Sequence, residues 1–140
     1  MTGGQVHEMA EVVGPFWSEA RAVAALGVSA ETVASRRDSG TILALPTNDG
    51  VLVYPVDQFQ KVGGGGDDVE VKPALLPFLR ALRGFDPWAV AVLLHTPAPE
   101  LDGATPLGWL SDGGAPDTLT RLGEVVAREW ASSGPPSVGH

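Results

Sequence analysis

The chain has 140 residues and no cysteine. That absence excludes a disulfide scaffold, a Cys-ligated zinc site, an iron–sulfur cluster and a thiol nucleophile. Basic residues are scarce. Nine Lys and Arg stand against 17 Asp and Glu, for a formal net charge of −8 and a pI near 4.6. A nonspecific nucleic-acid coat and an anionic-membrane binder both need a dominant basic patch, so neither is expected. Long apolar runs are missing too: none approaches the roughly 20 residues of a membrane span. Met1 to Ala10 lacks the basic start and apolar stretch of a signal peptide. The expectation is a cytoplasmic protein with no membrane partner. The histidines, His7, His95 and His140, lie far apart, and no HExxH, HxH, calcium loop or GxSxG elbow occurs. Asp67-Asp68 sits beside glycines that hold nothing preorganised. No catalytic residue, metal site or cofactor is expected, and the chain reads as a non-enzyme.

Hydrophobic residues make up 44%, enough for a core. The 18 glycines and 12 prolines exceed a fifth of the chain, so short elements are expected. Lys61-Val62-Gly63-Gly64-Gly65-Gly66-Asp67-Asp68 reads as a flexible connection. A phosphate cradle is a poor fit, because no Lys-Ser or Lys-Thr follows and two aspartates repel phosphate. The expected organisation is one unit over residues 1–60, a linker or loop over 61–71, a helical unit over 72–131 and a tail over 132–140. The charge divides evenly between the halves, so neither is a basic module.

In the first half, Trp17 to Leu26 reads as a helix stopped by Gly27. Ser29 caps a second helix ending near Asp38-Ser39-Gly40. The apolar runs Ile42 to Leu45 and Val51 to Tyr54 flank Pro46-Thr47-Asn48-Asp49-Gly50, where Asp-Gly is strong hairpin chemistry. Asp57-Gln58-Phe59 is a candidate for one more helical turn. In the second half, proline marks helix starts. Lys72-Pro73 opens a helix closed by Gly84, with Pro77 one turn in, and Asp86-Pro87 opens an apolar helix through Leu94. Thr105-Pro106 opens a short one through Trp109 and Leu110. Pro116-Asp117 opens the last, striped with Leu119, Leu122, Val125, Val126 and Trp130. Asp117–Arg121 and Glu124–Arg128 are spaced as i,i+4 ion pairs. The predicted fold class is mainly α with a small β-hairpin.

Leu26-Gly27-Val28-Ser29 followed by Thr32-Val33 resembles the turn and recognition-helix start of helix-turn-helix proteins. Gly40-Thr41-Ile42-Leu43, the hairpin, and Tyr54 to Phe59 look like the wing of excisionase-type or MerR-type winged helices. The resemblance implies an N-terminal winged helix-turn-helix followed by a small helical bundle. Its second helix would enter a DNA major groove, with Ser29, Thr32, Arg36 and Arg37 as DNA-binding residues.

The stretch Leu94 to Leu110, with Pro97, Pro99, Leu101, Gly103, Thr105, Pro106, Trp109 and Leu110, resembles the toxin-binding domain of the Xre/MbcA/ParS antitoxin family. That resemblance implies an antitoxin that neutralises a RES-type, NAD-consuming toxin and represses its own operon by binding operator DNA. It also implies a homodimer or a hetero-oligomer with the toxin. Trp109, Leu110, Arg128 and Trp130 are the expected partner-binding residues. Trp109 and Leu110 read equally as bundle packing or as an exposed anchor. The alternative is a stand-alone excisionase-type or MerR-type regulator with a helical dimerisation or sensing domain.

Overall fold

The structure, a computed structural model, describes residues 13–62 and 68–133. It is mainly helical, with two small β-sheets. Among the described residues, no helix is long and apolar enough to cross a membrane.

Local capping chemistry sets the first two helices. The Ser18 hydroxyl accepts from the Arg21 N–H at 3.2 Å and starts α1 (Glu19–Leu26). Gly27, at φ 68°, ends α1 in the left-handed conformation that glycine adopts without strain. Two residues later the Ser29 hydroxyl accepts from Thr32 N–H at 3.1 Å and starts α2 (Ala30–Ser39). Gly40, at φ 77°, ends it. Both stops fall where the sequence places them.

The start of α1 differs from expectation. Phe16–Ser18 is a strand, β1, and not a helical turn. It runs antiparallel to β3 (Leu52–Pro55), with Trp17 opposite Tyr54. The other edge of β3 pairs with β2 (Leu45–Pro46), giving the order β1-β3-β2. Thr47 closes the β2–β3 turn by donating its N–H and its hydroxyl to the Val51 carbonyl. Residues 56–58 form a single turn of 3-10 helix, one residue ahead of the expected Asp57-Gln58-Phe59, because Phe59 already begins the next strand.

Residues 61–71, read as linker or loop, include strand residues. Strand β4 (Phe59–Lys61) pairs antiparallel with β5 (Val69–Val71). Val62 N–H adds a bond to the Asp68 carbonyl at 3.0 Å. Gly63 to Gly66 and Asp67 lie outside the described residues.

The expected helix from Pro73 to Gly84 is divided. Pro73–Leu75 is a 3-10 turn, and α3 covers Leu76–Ala81. Pro77 sits within the first two residues of α3, where its missing N–H sacrifices no helix bond, so it starts the helix and does not bend it. α4 (Pro87–Leu94) begins with Asp86 accepting from Trp88 N–H at 3.0 Å. It buries Trp88, Val90, Ala91 and Leu94. After a 3-10 turn at Pro99–Leu101, Thr105 caps α5 (Pro106–Ser111). The last helix, α6 (Pro116–Ser133), buries Leu119, Leu122 and Val126 and packs along α3. Gly123 permits that approach: a β-carbon there would stand 2.9 Å from Phe78 Cδ1. The pairs Asp117–Arg121 and Glu124–Arg128 are not among the ion pairs formed between described residues.

The apolar core does not divide at residues 61–71. Val33, Leu45 and Tyr54 belong to the same buried cluster as Leu75, Phe78, Leu101 and Leu119. Trp88 is the main cross-strut. Its ring meets Phe16 edge-on at 6.0 Å, and its indole N–H donates to the Pro46 carbonyl at 2.7 Å. Trp17 stacks on Phe59 at 5.2 Å.

Candidate functional site

Helix α2 buries one residue, Val33. Most of its remaining surface is polar, so apolar burial alone does not anchor it. Three connections hold it. The first lies within its own N-terminus, where Ser29 and Thr32 share a hydroxyl hydrogen bond of 3.0 Å in addition to the cap.

The second is a three-residue network. Arg37 Nη1 donates to Glu19 Oε1 at 2.9 Å and to the Tyr54 hydroxyl at 2.8 Å. The Tyr54 hydroxyl donates to the same Glu19 oxygen at 2.8 Å. One carboxylate at the start of α1 thus joins α2 to β3. Tyr54 has no exposed surface. Burial pushes its pKa above 10.0, and the bond to Glu19 pushes the same way, while Arg37 opposes both. The phenol is therefore held protonated, as its donor role requires.

The third connection is Gln58, the only buried polar residue among those described. Its side-chain oxygen accepts from Leu43 N–H at 2.8 Å, and its nitrogen donates to the Leu43 carbonyl at 2.8 Å and the Pro55 carbonyl at 3.2 Å. It ties the segment leaving α2 to the end of β3, as one more strand pairing would.

These contacts sort the expected DNA-binding residues. Ser29 is exposed at the helix start and Thr32 is half-buried beside it. Arg37 is committed to the network, with its charge balanced by Glu19. Arg36 is half-buried, and its side chain has no ion-pair partner among the described residues. Ser35, which sequence reasoning passed over, is exposed on the same helix. Glu31 and Asp38 are exposed there too. A further cation, Arg21 on α1, lies 5.6 Å from the centre of the Trp17 ring.

A solved structure titled "NMR structure of Rv2175c" shares this fold. The TM-score is 0.53, at 21% identity over 85% of this chain and 80% of that one. No protein-family model and no curated protein sequence matches the chain. The likeness to that structure reaches across the shared core into both halves, so the arrangement of the two halves, and not one motif alone, is what the two folds have in common.

The expected partner-binding residues fall into two places. Trp109 is half-buried against Gly114, and its indole N–H donates to the Ala115 carbonyl at 2.8 Å. Leu110 is half-buried beside it and lines a recess with Gln60, Lys72 and Pro73. Arg128 and Trp130 stand near the far end of α6, roughly 20 Å along a helix that rises about 1.5 Å per residue. Trp130 meets Phe85 edge-on at 5.5 Å. Both tryptophans are thus engaged within the chain, and the four residues do not converge on one surface. His95 is the C-cap residue of α4, with Nε2 3.7 Å from Asp57 Oδ2.

Proposed function

We propose that the chain is a DNA-binding regulator whose first half works as a winged helix-turn-helix. In this reading α1 is the supporting helix, α2 is the reading helix and the β2–β3 hairpin is the wing. One observation carries it: α2 is capped at both ends and pinned through Arg37, yet buries only Val33. Apolar burial accounts for little of this, since Val33 alone is buried on the helix. Rigidity there serves recognition, because a preordered helix does not lose entropy again on binding.

Ser29, Thr32, Ser35 and Arg36 are the groups that would meet bases or phosphates. With Arg37 neutralised, each copy brings few cations to the backbone. Each phosphate contact adds about 0.9 to the salt slope, so one copy alone would bind weakly. The reading therefore includes a two-fold dimer on half-sites about 34–36 Å apart. The toxin-neutralising reading stands second: Trp109 and Trp130, its expected anchors, each make a contact within the chain and stay partly exposed.

The test is selection of bound duplexes from a random pool by the full chain at about 100 mM salt. Enrichment of one motif with two related half-sites is expected, with Arg36→Ala weakening that binding and lowering the salt slope by about two, one contact from each copy. A pool that stays random after repeated rounds refutes the reading.

A further inference from the structure

A cleft of about 290 Å³ opens where the two halves meet. Its walls are apolar, with Ile42, Ala44 and Leu52 from the first half and Leu82, Phe85 and Val90 from the second. Arg37 and Arg83 line it, and no carboxylate does. Arg37 is balanced by Glu19. Arg83 is exposed, with no ion-pair partner among the described residues. Its stem passes close to Gly40 at the end of α2. A β-carbon on Gly40 would stand 3.0–3.1 Å from Arg83 Cδ, Cβ and Cγ, so the missing side chain makes room for that stem. A cation beside a helix C-terminus has a favourable dipole interaction. The Arg36 and Arg37 carbonyls do not need its donors, however. The Arg36 carbonyl is taken by Thr41 N–H at 3.0 Å and the Arg37 carbonyl by Gly40 N–H at 3.2 Å.

We propose that this cleft binds a small amphipathic carboxylate, with its apolar body between the halves and its carboxylate on the Arg83 guanidinium. At about 30 Å³ per water-sized group, the space suits a body of about ten such groups. Mostly apolar walls with a few polar groups are the usual composition of a small-molecule site, and here Arg83 is the cation left without an acidic partner among the described residues. A guanidinium matches a carboxylate with two parallel hydrogen bonds, and neither an amide nor an alcohol can replace that match. The proposal stands whether or not the chain binds DNA.

The probes are octanoate, octanamide and octan-1-ol, titrated into the ¹⁵N-labelled full chain by NMR. Octanoate should give saturable shifts confined to the cleft residues, in the millimolar range or tighter, the affinity open to a ligand of this size. Octanamide and octanol should bind at least tenfold more weakly. Arg83→Gln should remove the preference for the acid while leaving weak binding of all three. Ala44→Phe should fill the cleft and abolish binding with the amide spectrum still dispersed. Should that variant fail to fold, Leu52→Trp at a half-exposed position takes its place. Absence of saturable shifts, shifts centred elsewhere, equal affinity for octanoate and octanamide, or an unchanged preference in Arg83→Gln would each overturn the proposal.

Discussion

Removing the Tyr54 hydroxyl tests the network that holds α2. Tyr54→Phe keeps the ring in its buried place and deletes two hydrogen bonds, each to a charged group. Such bonds contribute about 1.5–3 kcal/mol each when well shielded. Glu19 and Arg37 keep 41% and 26% of their side-chain surface, so water recovers part of the loss. The remaining Arg37–Glu19 pair also survives the change. A net cost of about 2 kcal/mol is expected. Unfolding entropy near 2.1 cal/mol/K per residue makes this about 7 °C in Tm for a chain of this length. Calorimetry of both proteins at pH 7 measures it. A second readout follows from composition, because Tyr54 is the single tyrosine. Its pKa lies above 10.0 in the fold, so between pH 10 and that value the native state holds a proton that the unfolded state has released. The contribution to stability is complete below pH 10 and is lost as pH rises through the folded pKa. Tyrosinate absorbance should therefore lag behind a free phenol until the protein unfolds, and Tyr54→Phe should lose stability less steeply over that window. A Tm drop under about 2 °C, or a folded protein titrating at the ordinary value, refutes the network as described.

Gln58→Leu leaves the Leu43 N–H and carbonyl buried without their partner and should cost about 2–4 kcal/mol, read from urea denaturation. Gly123→Val places side-chain atoms where Phe78 stands, so a loss of about 1–3 kcal/mol from overpacking is expected in the same assay. Gly40→Ala combines a φ of 77° with the Arg83 contact and should lower Tm by several degrees, whereas Gly50→Ala, at φ 81° with open space around it, should carry only the backbone strain. Trp88→Phe deletes the bond to the Pro46 carbonyl, and the change should appear in the amide shifts of both halves, because that residue joins them.

What the sequence determined by itself was the punctuation. Gly27, Ser29, Gly40, Asp86-Pro87 and Thr105-Pro106 start or stop helices where the residues alone place them. Each of these signals acts on backbone groups within one turn, so the partner is written beside it. The β2–β3 hairpin was legible for the same reason, through its five-residue connection. Tertiary structure decided the rest. Trp17 is followed by the helix-compatible run Glu19 to Leu26, yet it enters a strand with Tyr54 opposite. Arg37 reads from sequence as a free cation, equal to Arg36. Only the fold brings Glu19 and Tyr54 to it, 18 and 17 positions away, and pairs its charge with a carboxylate. The glycine run looked like a boundary between two units, but Trp88 reaches back 42 positions to Pro46 and the core closes across it. A helix cap is settled by the hydrogen bonds of a few adjacent residues. A cross-strand partner, a long-range ion pair or a cleft between two halves is settled by which distant surfaces come together, and no window along the chain contains that comparison.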